Sequence, residues 1–483
     1  MIRRTVRVLA ALAAALALHP QARAQQPLPA RGDTLTVSLE DALGRALANG
    51  DEVRLAESRR SAASAQLGQA RSTGLPKLEM SSAFTHVYEN ARAQAVGQIF
   101  NQPNTYNVNF NLSAPVFQGG RVSAGLRSAN RLRGAATADV EEARADVTVN
   151  LLVAYLDALL AERLVEIQRE QVRLADERVR QMEQMERAGR ASRYEVLRAR
   201  VERSNLEPAA IQAAGNLEVA LLEVKRLANL PAGQPLRLVS TITPEAVTAL
   251  AQGAEAAGPA SDSAAIAAIP AVRAAELRAQ ASRAGVSVAR ADYLPTVSLF
   301  VRSGWQAFPA GWSFPTSRGG FSTITCPPDS EPGRVCTEQN GGWFSDRSAG
   351  VQVSWPLFDG LRTRSNVALA RAQADIAAAQ AAQAREAAAV QLAQARANLA
   401  RARAQFNATR QTTAEAAEAF RLASLRFNRG LSTQLDVSDA QLALATARTN
   451  EARATYDLYL ATAGLARAQG RAVPLPGAAP NTR

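Results

Sequence analysis

Two stretches of the sequence, APVFQGGR at residues 114–121 and WPLFDGLR at residues 355–362, match each other at an offset of 241. The same offset relates Gly189 in ERAGRASRYEV to Gly430 in FNRGLSTQLDV. In each copy the two matched glycines are therefore 70 positions apart. A loop would vary in length between copies, whereas a helix of that length is a spacer of about 105 Å. The shared residues of the two strand-to-helix junctions are Pro115, Phe117, Gly119, Pro356, Phe358 and Gly360.

The composition of these segments favours long helices in a tandem repeat. Residues 361–429 contain neither Gly nor Pro, and 25 of the 69 are Ala, the residue with the highest helix propensity. After each matched glycine we expect a tight turn and a return helix, at about 192–228 in the first copy and 433–468 in the second. Pro208 should kink or break the first return helix.

Each copy also opens with a shorter helix. In the first copy Ser38 is a suitable N-cap, and the helix should run to about Arg71 with an interruption near Gly50. In the second copy the helix begins near Pro270, at an offset of 219, so this copy carries 22 extra residues before Pro356. Two short helices laid end to end would cover one long helix, which predicts a long, thin antiparallel bundle.

Period-two alternation predicts two strands in each copy. The clearest run is residues 107–112, where Val108, Phe110 and Leu112 alternate with three asparagines. Weaker alternation marks three more strands, near residues 80–88, 297–301 and 351–355. Because a one-sided sheet of a water-soluble protein shows the same alternation, no single strand establishes a membrane location.

The N-terminus has the three parts of a secretory signal. Arginines precede an apolar run at residues 8–18, which is too short to span a membrane, and a small-x-small site ends at Ala24. We therefore expect export with cleavage after Ala24. The predicted domains are a signal peptide (1–24), a first repeat (25–230), a linker or equatorial segment (231–270), a second repeat (271–470) and a C-terminal tail (471–483).

Composition argues against several classes of function. The formal net charge is +12, and the predicted signal holds four arginines and no acid, which leaves +8. The arginines alternate with Ala and Glu along helical segments, which is typical of a solvated face, so no nucleic-acid partner is expected. One histidine, His86, remains after cleavage, and no nucleophile motif, phosphate loop or metal-ligand spacing occurs. We expect no enzymatic activity, catalytic residue, cofactor or metal site.

The two cysteines, Cys326 and Cys336, lie in the insertion of the second copy, in TCPPDSEPGRVC. In an oxidising compartment a disulfide that closes this loop is the main expectation, and two free thiols are the alternative. A metal site is not expected there because the region has no histidine.

The strand count constrains how the chain could enter a membrane. No later segment has the ~18 consecutive apolar residues of a membrane helix, so entry would require strands closed into a barrel. Single-chain bacterial barrels begin at about eight strands. This chain offers four, so several copies would have to share one barrel.

The repeat, the two junctions and the turn sequences GRASRYEVLRA and GLSTQLDVSDAQ together resemble the TolC-like outer-membrane efflux channel family, from Ser38 to about Gly470. The resemblance implies a mostly α fold with a small β part. Three chains would share a transmembrane β-barrel, four strands each, that continues as an antiparallel α-helical barrel in the periplasm. It also implies a homotrimer, outer-membrane lipid, a periplasmic adaptor (membrane fusion) protein and an inner-membrane RND or ABC transporter as partners.

The resemblance also assigns roles at the periplasmic tip, which opens like an iris in this family. Asp436 and Asp439 match acidic positions that line the tip entrance, and Glu195 is the acid repeated in the first copy. In a trimer each would form a ring that favours cations. The alternative is that Asp436 and Asp439 are N-terminal helix acids stabilised by the helix dipole. Adaptor docking is expected at the tip turns, near Gly189, Arg190, Arg193, Gly430 and Ser432.

One position departs from the family pattern. Leu431 and Ser432 stand where some relatives have a basic latch residue, which leaves Arg190 and Arg193 of the other turn as candidate partners. The function that these features predict is a passive export duct of a tripartite efflux or type I secretion system. The alternative is a periplasmic coiled-coil scaffold or adaptor, which would explain the helices but not the strands and junctions.

Overall fold

The protein, seen here in a computed structural model, is mostly helical, with a small sheet at one end of two very long helices. This confirms the predicted fold class. The structure describes residues 34–89, 91, 103–240, 242–256, 261–309, 312, 314–324, 336–339 and 341–475.

The elements follow the repeat. The first repeat contains β1 (Leu35–Val37), α1 (Leu39–Asn49), α2 (Asp51–Ser72), β2 (Lys77–His86), β3 (Asn104–Gln118), α3 (Arg121–Arg187) and α4 (Arg193–Leu227). The middle segment contains β4 (Leu236–Leu238), α5 (Pro244–Ala256) and α6 (Asp262–Ala268). The second repeat contains α7 (Pro270–Arg290), β5 (Thr296–Ala307), β6 (Phe321–Ile324), β7 (Cys336–Gln339), β8 (Trp343–Ser354), α8 (Arg362–Asn428) and α9 (Gln434–Ala468).

The long helices α3 and α8 have 67 residues each, which corresponds to a length of about 100 Å. Neither they nor the other described helices are long and apolar enough to cross a membrane. Seven-residue spacing, which is typical of coiled-coil packing, relates buried side chains of α8 within two stripes. These stripes are Val367, Ala374, Ala381 and Ala388, followed by Leu392, Leu399 and Phe406. The small alanines let the short helix α7 pack closely against α8.

Local hydrogen bonds set the starts of the two return helices, which begin where the sequence predicts. Ser192 and Glu195 form a capping box at α4, and Thr433 and Asp436 form the same device at α9. A predicted break at Pro208 is wrong, because α4 continues through it. Pro208 lies on the exposed side of α4, where water can bond the carbonyl that the missing N–H leaves free.

The first helix of the first repeat is interrupted where the sequence indicates. Ser38 accepts a hydrogen bond from the Asp41 amide at the start of α1. The extended backbone of Gly50 (ψ 132°) then separates α1 from α2. In the second repeat, Pro270 is the first residue of α7, which suits a residue without an N–H.

The four predicted strands lie in one antiparallel sheet with the order β2-β3-β5-β8. One register row joins Met80, Phe110, Ser303 and Arg347 from edge to edge. The strands β6 and β7 form a separate hairpin in the connection between β5 and β8. Strands β2 and β8 are the two open edges of the larger sheet.

The described elements of the segment 231–270 pack against the middle of the long helices. Strand β4 pairs in parallel with β1 through Leu35 and Leu236, across 200 residues of chain. Helix α5 packs against α9 and buries Val247 and Ala251 completely. The short elements of this segment therefore form part of the main hydrophobic core.

Two buried tyrosines tie this equatorial region together. The Tyr155 hydroxyl on α3 donates to the Val37 carbonyl (3.1 Å) and accepts from the Ser240 amide (3.3 Å). The Tyr459 hydroxyl on α9 donates to the Pro474 carbonyl (2.8 Å). Both rings are fully buried, so the main core lies midway along the helices.

Candidate functional site

The four-stranded sheet has two faces of opposite character. On one face, Met80 and Val353 are each 64% exposed in the single chain. The apolar face carries Leu78, Met80, Phe84, Tyr106, Val108, Phe110, Leu112, Val297, Leu299, Val301, Trp305, Val351 and Val353. The polar face carries Asn107, Asn109, Asn111, Ser298, Arg302, Gln306, Asp346, Ser348 and Gln352. A continuous exposed apolar surface of this extent marks an interaction site.

At the junctions the chain turns from the sheet into a long helix through left-handed backbone. Gly119 has φ +60°, and a Cβ there would lie 2.6 Å from the Ala291 carbonyl oxygen, so only glycine fits. Gly360 has φ +69°. Hydrogen bonds between Asp359, just before this glycine, and Thr363, in the first turn of α8, fix the start of the helix. The Thr363 amide and hydroxyl donate to the Asp359 carboxylate and hold its pKa below the usual value.

The other predicted junction residues have different surroundings. A register shift separates Pro115 from Phe117 at the end of β3. Phe117 is 44% exposed and Phe358 is 82% exposed in the single chain. These apolar side chains therefore lie at the boundary between sheet and helices. Pro356 lies in the short connection between β8 and α8.

Both tip turns have the same backbone geometry. Gly189 (φ +67°) and Gly430 (φ +73°) follow the last turns of α3 and α8. The amides of Arg190 and Leu431 donate back across the turn to the carbonyls of Met185 (2.7 Å) and Arg426 (2.8 Å). These bonds satisfy helix-end carbonyls in the manner of a Schellman motif.

The side chains proposed for docking differ between the turns. Arg193 forms a 3.7 Å ion pair with Glu186 of its own hairpin. The Ser432 hydroxyl donates to the Ala423 carbonyl at 3.5 Å. Arg190 is exposed. The described contacts of these residues thus stay within each hairpin and leave the outer side of both turns accessible.

Two of the three predicted ring acids have a local role. The carboxylate of Glu195 accepts from the Ser192 amide (2.6 Å), and that of Asp436 accepts from the Thr433 amide (2.8 Å). The hydrogen bonds from Thr433 lower the pKa of Asp436 below its usual value. Asp439 is exposed one turn farther along. A single chain does not test whether these acids form rings, and that assignment stays a prediction.

A polar network near the tip was missed at the sequence level. Arg178 on α3 donates to the Ser438 hydroxyl on α9 (2.7 Å), and Ser438 in turn donates to Glu202 on α4 (3.2 Å). Farther from the tip, the buried amides of Gln441 and Gln171 are joined at 2.8 Å. The network thus fastens the hairpin of the first repeat to that of the second.

The signal for this network was present in the heptad pattern. Gln171 and Arg178 are seven residues apart on α3, and Gln434 and Gln441 are seven residues apart on α9. Polar residues at the seam of a coiled coil specify register and partner at a cost in stability. Polar seam residues in both repeats therefore mark a contact that is selected for something other than maximal stability.

The charge of Arg178 is only partly compensated. Burial lowers its pKa, and the nearby Glu202 carboxylate opposes that shift. Arg178 donates a hydrogen bond to the neutral hydroxyl of Ser438. Asp439 lines the same cavity of about 250 Å³ beside Arg178 and Glu202. The two hairpins are thus joined by polar side chains whose hydrogen bonds water could replace. A contact of this kind can separate at a lower cost than an apolar one.

The remaining questions concern metal binding and the predicted disulfide. Within the described part of the chain, no group of three or more His, Cys, Asp or Glu side chains could hold a metal ion. The predicted Cys326–Cys336 disulfide cannot be placed, because Cys326 and the side chain of Cys336 lie outside the described residues.

Comparisons with known proteins agree with this geometry. The model of the family described as "Outer membrane efflux protein" matches residues 42–230 and 263–471. No curated protein matches the sequence. The fold is similar to the crystal structure of the Campylobacter jejuni CmeC outer membrane channel, with a TM-score of 0.72 at 19% identity over 94% of this chain and 93% of that one.

Two further solved structures have the same fold. The Vibrio cholerae outer membrane protein VceC has a TM-score of 0.69 at 19% identity, with 90% of this chain and 97% of that chain covered. The open state of the Neisseria gonorrhoeae MtrE outer membrane channel has a TM-score of 0.67 at 18% identity, with 94% and 96% covered.

Proposed function

Because this chain belongs to the outer membrane efflux protein family, we propose that three copies of it form a passive duct that crosses the outer membrane and continues through the periplasm. Family membership confirms the resemblance found in the sequence and the outer-membrane location, and it supports a role in efflux. The trimer, the shared barrel, the tip ring and the partners are the proposal.

The observation that carries the proposal is the open sheet with one apolar and one polar face. Strands β2 and β8 leave unpaired backbone groups at both edges, which lipid cannot satisfy. Three sheets joined edge to edge would give a closed barrel of about twelve strands, large enough to leave a passage. The apolar face would meet lipid, and the polar face with its asparagines would line the water-filled interior.

The helices support the same assembly. In the half near the sheet, contacts run from α2 through α3 and α7 to α8, which makes α2 and α8 the edges of the layer. In the tip half the corresponding edges are α4 and α8. These edge helices expose large apolar side chains in the single chain: Val201, Ile211 and Val219 on α4, and Leu369, Ile376 and Val390 on α8. A neighbouring copy on each side would cover them.

At the tip we propose a closed resting state. Asp436, Asp439 and Glu195 would ring the entrance, and the Arg178 network would hold the hairpins together. A periplasmic adaptor would dock on the outer side of the turns, near Gly189 and Gly430, and help to open them. Because the chain has no nucleotide-binding loop, the energy would come from an RND or ABC transporter in the inner membrane. The Neisseria gonorrhoeae MtrE channel, which has the same fold, is known in an open state, and a channel that opens is consistent with this proposal.

The test is single-channel conductance of detergent-extracted protein in a planar bilayer, with Asp439→Asn as the main variant. Asp436→Asn is the companion variant, because its amide oxygen can still accept the Thr433 hydrogen bond while the charge is removed. We expect a small, cation-selective conductance that loses selectivity in both variants. Unchanged selectivity would keep the duct and reject the acidic ring.

The same preparation tests the alternative of a periplasmic scaffold or adaptor. A channel should require detergent for extraction from the outer-membrane fraction, because its apolar sheet face lies in lipid. A scaffold should leave the membrane in high salt without detergent. Salt-extractable protein that conducts no ions as an assembled trimer would overturn the proposed duct.

A further inference from the structure

The apolar face of the sheet has one charged exception. Among the described strand residues, Arg347 on β8 is the only charged side chain on that face. It is exposed, and no described residue forms an ion pair with it. The neighbouring Asp346 lies on the opposite face of the strand. Two hydroxyls flank Arg347 on its own face: Ser303 directly across on β5, and Ser345 two residues along β8.

Aromatic residues indicate the depth of Arg347 in the membrane. Phe84, Tyr106, Trp305 and Trp343 gather at the end of the apolar face that lies away from the helices. Aromatic girdles of this kind mark the membrane interface of barrels. Trp305 is opposite Ser345, and Arg347 lies two residues farther along β8 toward the helices. With the usual rise and tilt of barrel strands, the Arg347 Cα is about 5 Å deeper in the membrane than Trp305.

A neighbouring copy would not neutralise this charge from its own strand. In the proposed trimer, β8 would pair with β2 of the next copy. The residues of β2 that belong to the apolar face are Leu78, Met80, Ser82, Phe84 and His86, none of which is acidic. Arg347 would therefore face lipid unpaired, a position whose free-energy cost rises with depth.

We propose that Arg347 binds the phosphate group of a phosphorylated glycolipid in the extracellular leaflet, an inference that rests on the proposed barrel. The Arg side chain extends its charge toward the interface while its stem stays in the apolar layer. Its planar donors fit two phosphate oxygens at once. The Ser303 and Ser345 hydroxyls provide two further donors beside it, and the Trp305 ring forms the upper edge of the site.

The experiment measures lipid binding to full-length trimers in phosphatidylcholine nanodiscs, with bisphosphorylated lipid A as the probe and its dephosphorylated form as the comparison. Arg347→Leu is the test variant, because an apolar residue suits the lipid face and should not impair folding. Arg302→Leu is the matched control, since Arg302 lies in the adjacent register row on the opposite face of the sheet. We expect binding to fall about tenfold in Arg347→Leu alone, as for a lost charge-assisted hydrogen bond.

Two outcomes would overturn the lipid site: equal binding by Arg347→Leu and the parent protein, or equal loss in Arg302→Leu. Competition by millimolar inorganic phosphate would also overturn it, because the ligand would then be a free anion rather than a lipid. Conductance of the same trimers separates this result from the proposed function. Conducting Arg347→Leu channels with unaltered lipid binding would reject the site and keep the duct.

Discussion

The two long helices have the same length and the same kinds of end, yet they occupy different places in the molecule. Helix α3 buries 17 residues and is packed on both sides, whereas α8 buries 9 and has one open side. Near the tip, the seam of α3 includes Gln171 and Arg178, while the buried stripes of α8 are almost entirely apolar. The two copies thus have long helices of equal length, but the side chains of these helices have different roles. Helix α3 holds the protomer together, and in the proposed trimer α8 would offer a surface to a neighbouring copy.

The strongest test of this division removes one large apolar side chain from each helix. Leu151 of α3 is fully buried, and Leu369 of α8 is 58% exposed. Leu151→Ala should lower the free energy of unfolding by about 2–5 kcal/mol through the cavity it leaves. Leu369→Ala should change protomer unfolding little and instead reduce the trimer fraction.

Circular dichroism during heating in detergent would measure unfolding, and native electrophoresis would measure the trimer. Equal losses of melting temperature in both variants, with no change in assembly, would contradict the division of roles between α3 and α8.

A second test concerns the polar seam. Arg178→Ala removes the link from α3 to Ser438 on α9, and should raise the open probability of the tip about tenfold, since hydrogen bonds to charged groups contribute about 1.5–3 kcal/mol. Arg180→Ala is the matched control, because Arg180 is exposed two residues away. Single-channel recording gives the readout.

A double-mutant cycle sharpens this result. If Arg178 acts through Ser438, the double variant should change open probability by less than the two single effects combined, because both variants break the Arg178–Ser438 contact. Ser438→Ala should keep a small effect of its own, because it also removes the hydrogen bond to Glu202. Additive effects on open probability would show that the two residues act separately, and no effect of Arg178→Ala would remove the network from the gate.

The contrast between the helices also shows what the sequence could predict. Helix lengths, the starts of the return helices near residues 192 and 433, and the Gly50 interruption depend on neighbouring residues, so the sequence could predict them. The contact of Arg178 with Ser438 joins residues 260 positions apart, and only the packed structure brings them together. Residues 231–270, which include α5, are predicted as a linker or equatorial segment because the segment is rich in Pro, Gly, Ala and Ser, although Val247 and Ala251 are spaced for one buried face.

The tip acids illustrate a different difficulty. Asp436 was predicted to line an entrance, with helix capping as the alternative, and the structure gives it a capping hydrogen bond. The two roles are compatible, because a carboxylate can accept a backbone bond and still contribute charge to a ring. Sequence reasoning located the residue, but which role dominates depends on neighbouring copies of the chain.

The third test compares the two turns. Gly189 and Gly430 have left-handed backbone, and a Cβ would meet no atom within 4 Å at either position. Gly189→Ala and Gly430→Ala should therefore cost about 1–2 kcal/mol each from backbone strain alone. Gly215→Ala in α4 is the control, since a helical glycine with free space around it gains about 0.4–1 kcal/mol on replacement by alanine.

Hydrogen exchange of the turn peptides, read by mass spectrometry, would measure these local changes. Similar losses of protection at both turns would show that the copies retain one turn geometry. A loss at only one turn would mean that its surroundings in the trimer, rather than its backbone, determine its stability.

The smallest expected effect is a pH dependence at the second turn. The hydrogen bonds from Thr433 lower the pKa of Asp436, so its carboxylate stabilises the folded turn at pH values above the ordinary Asp pKa of about 3.9. That stabilisation should decrease as the pH falls through the lowered pKa, because protonation removes the charge-assisted bond. At neutral pH the turn should show no titration.

Hydrogen exchange at the start of α9, corrected for intrinsic rates, would follow this change between pH 5 and pH 2, and Asp436→Asn should abolish it. A transition near neutral pH would instead indicate that Asp436 lies among other acids, as a tight ring of three copies would require.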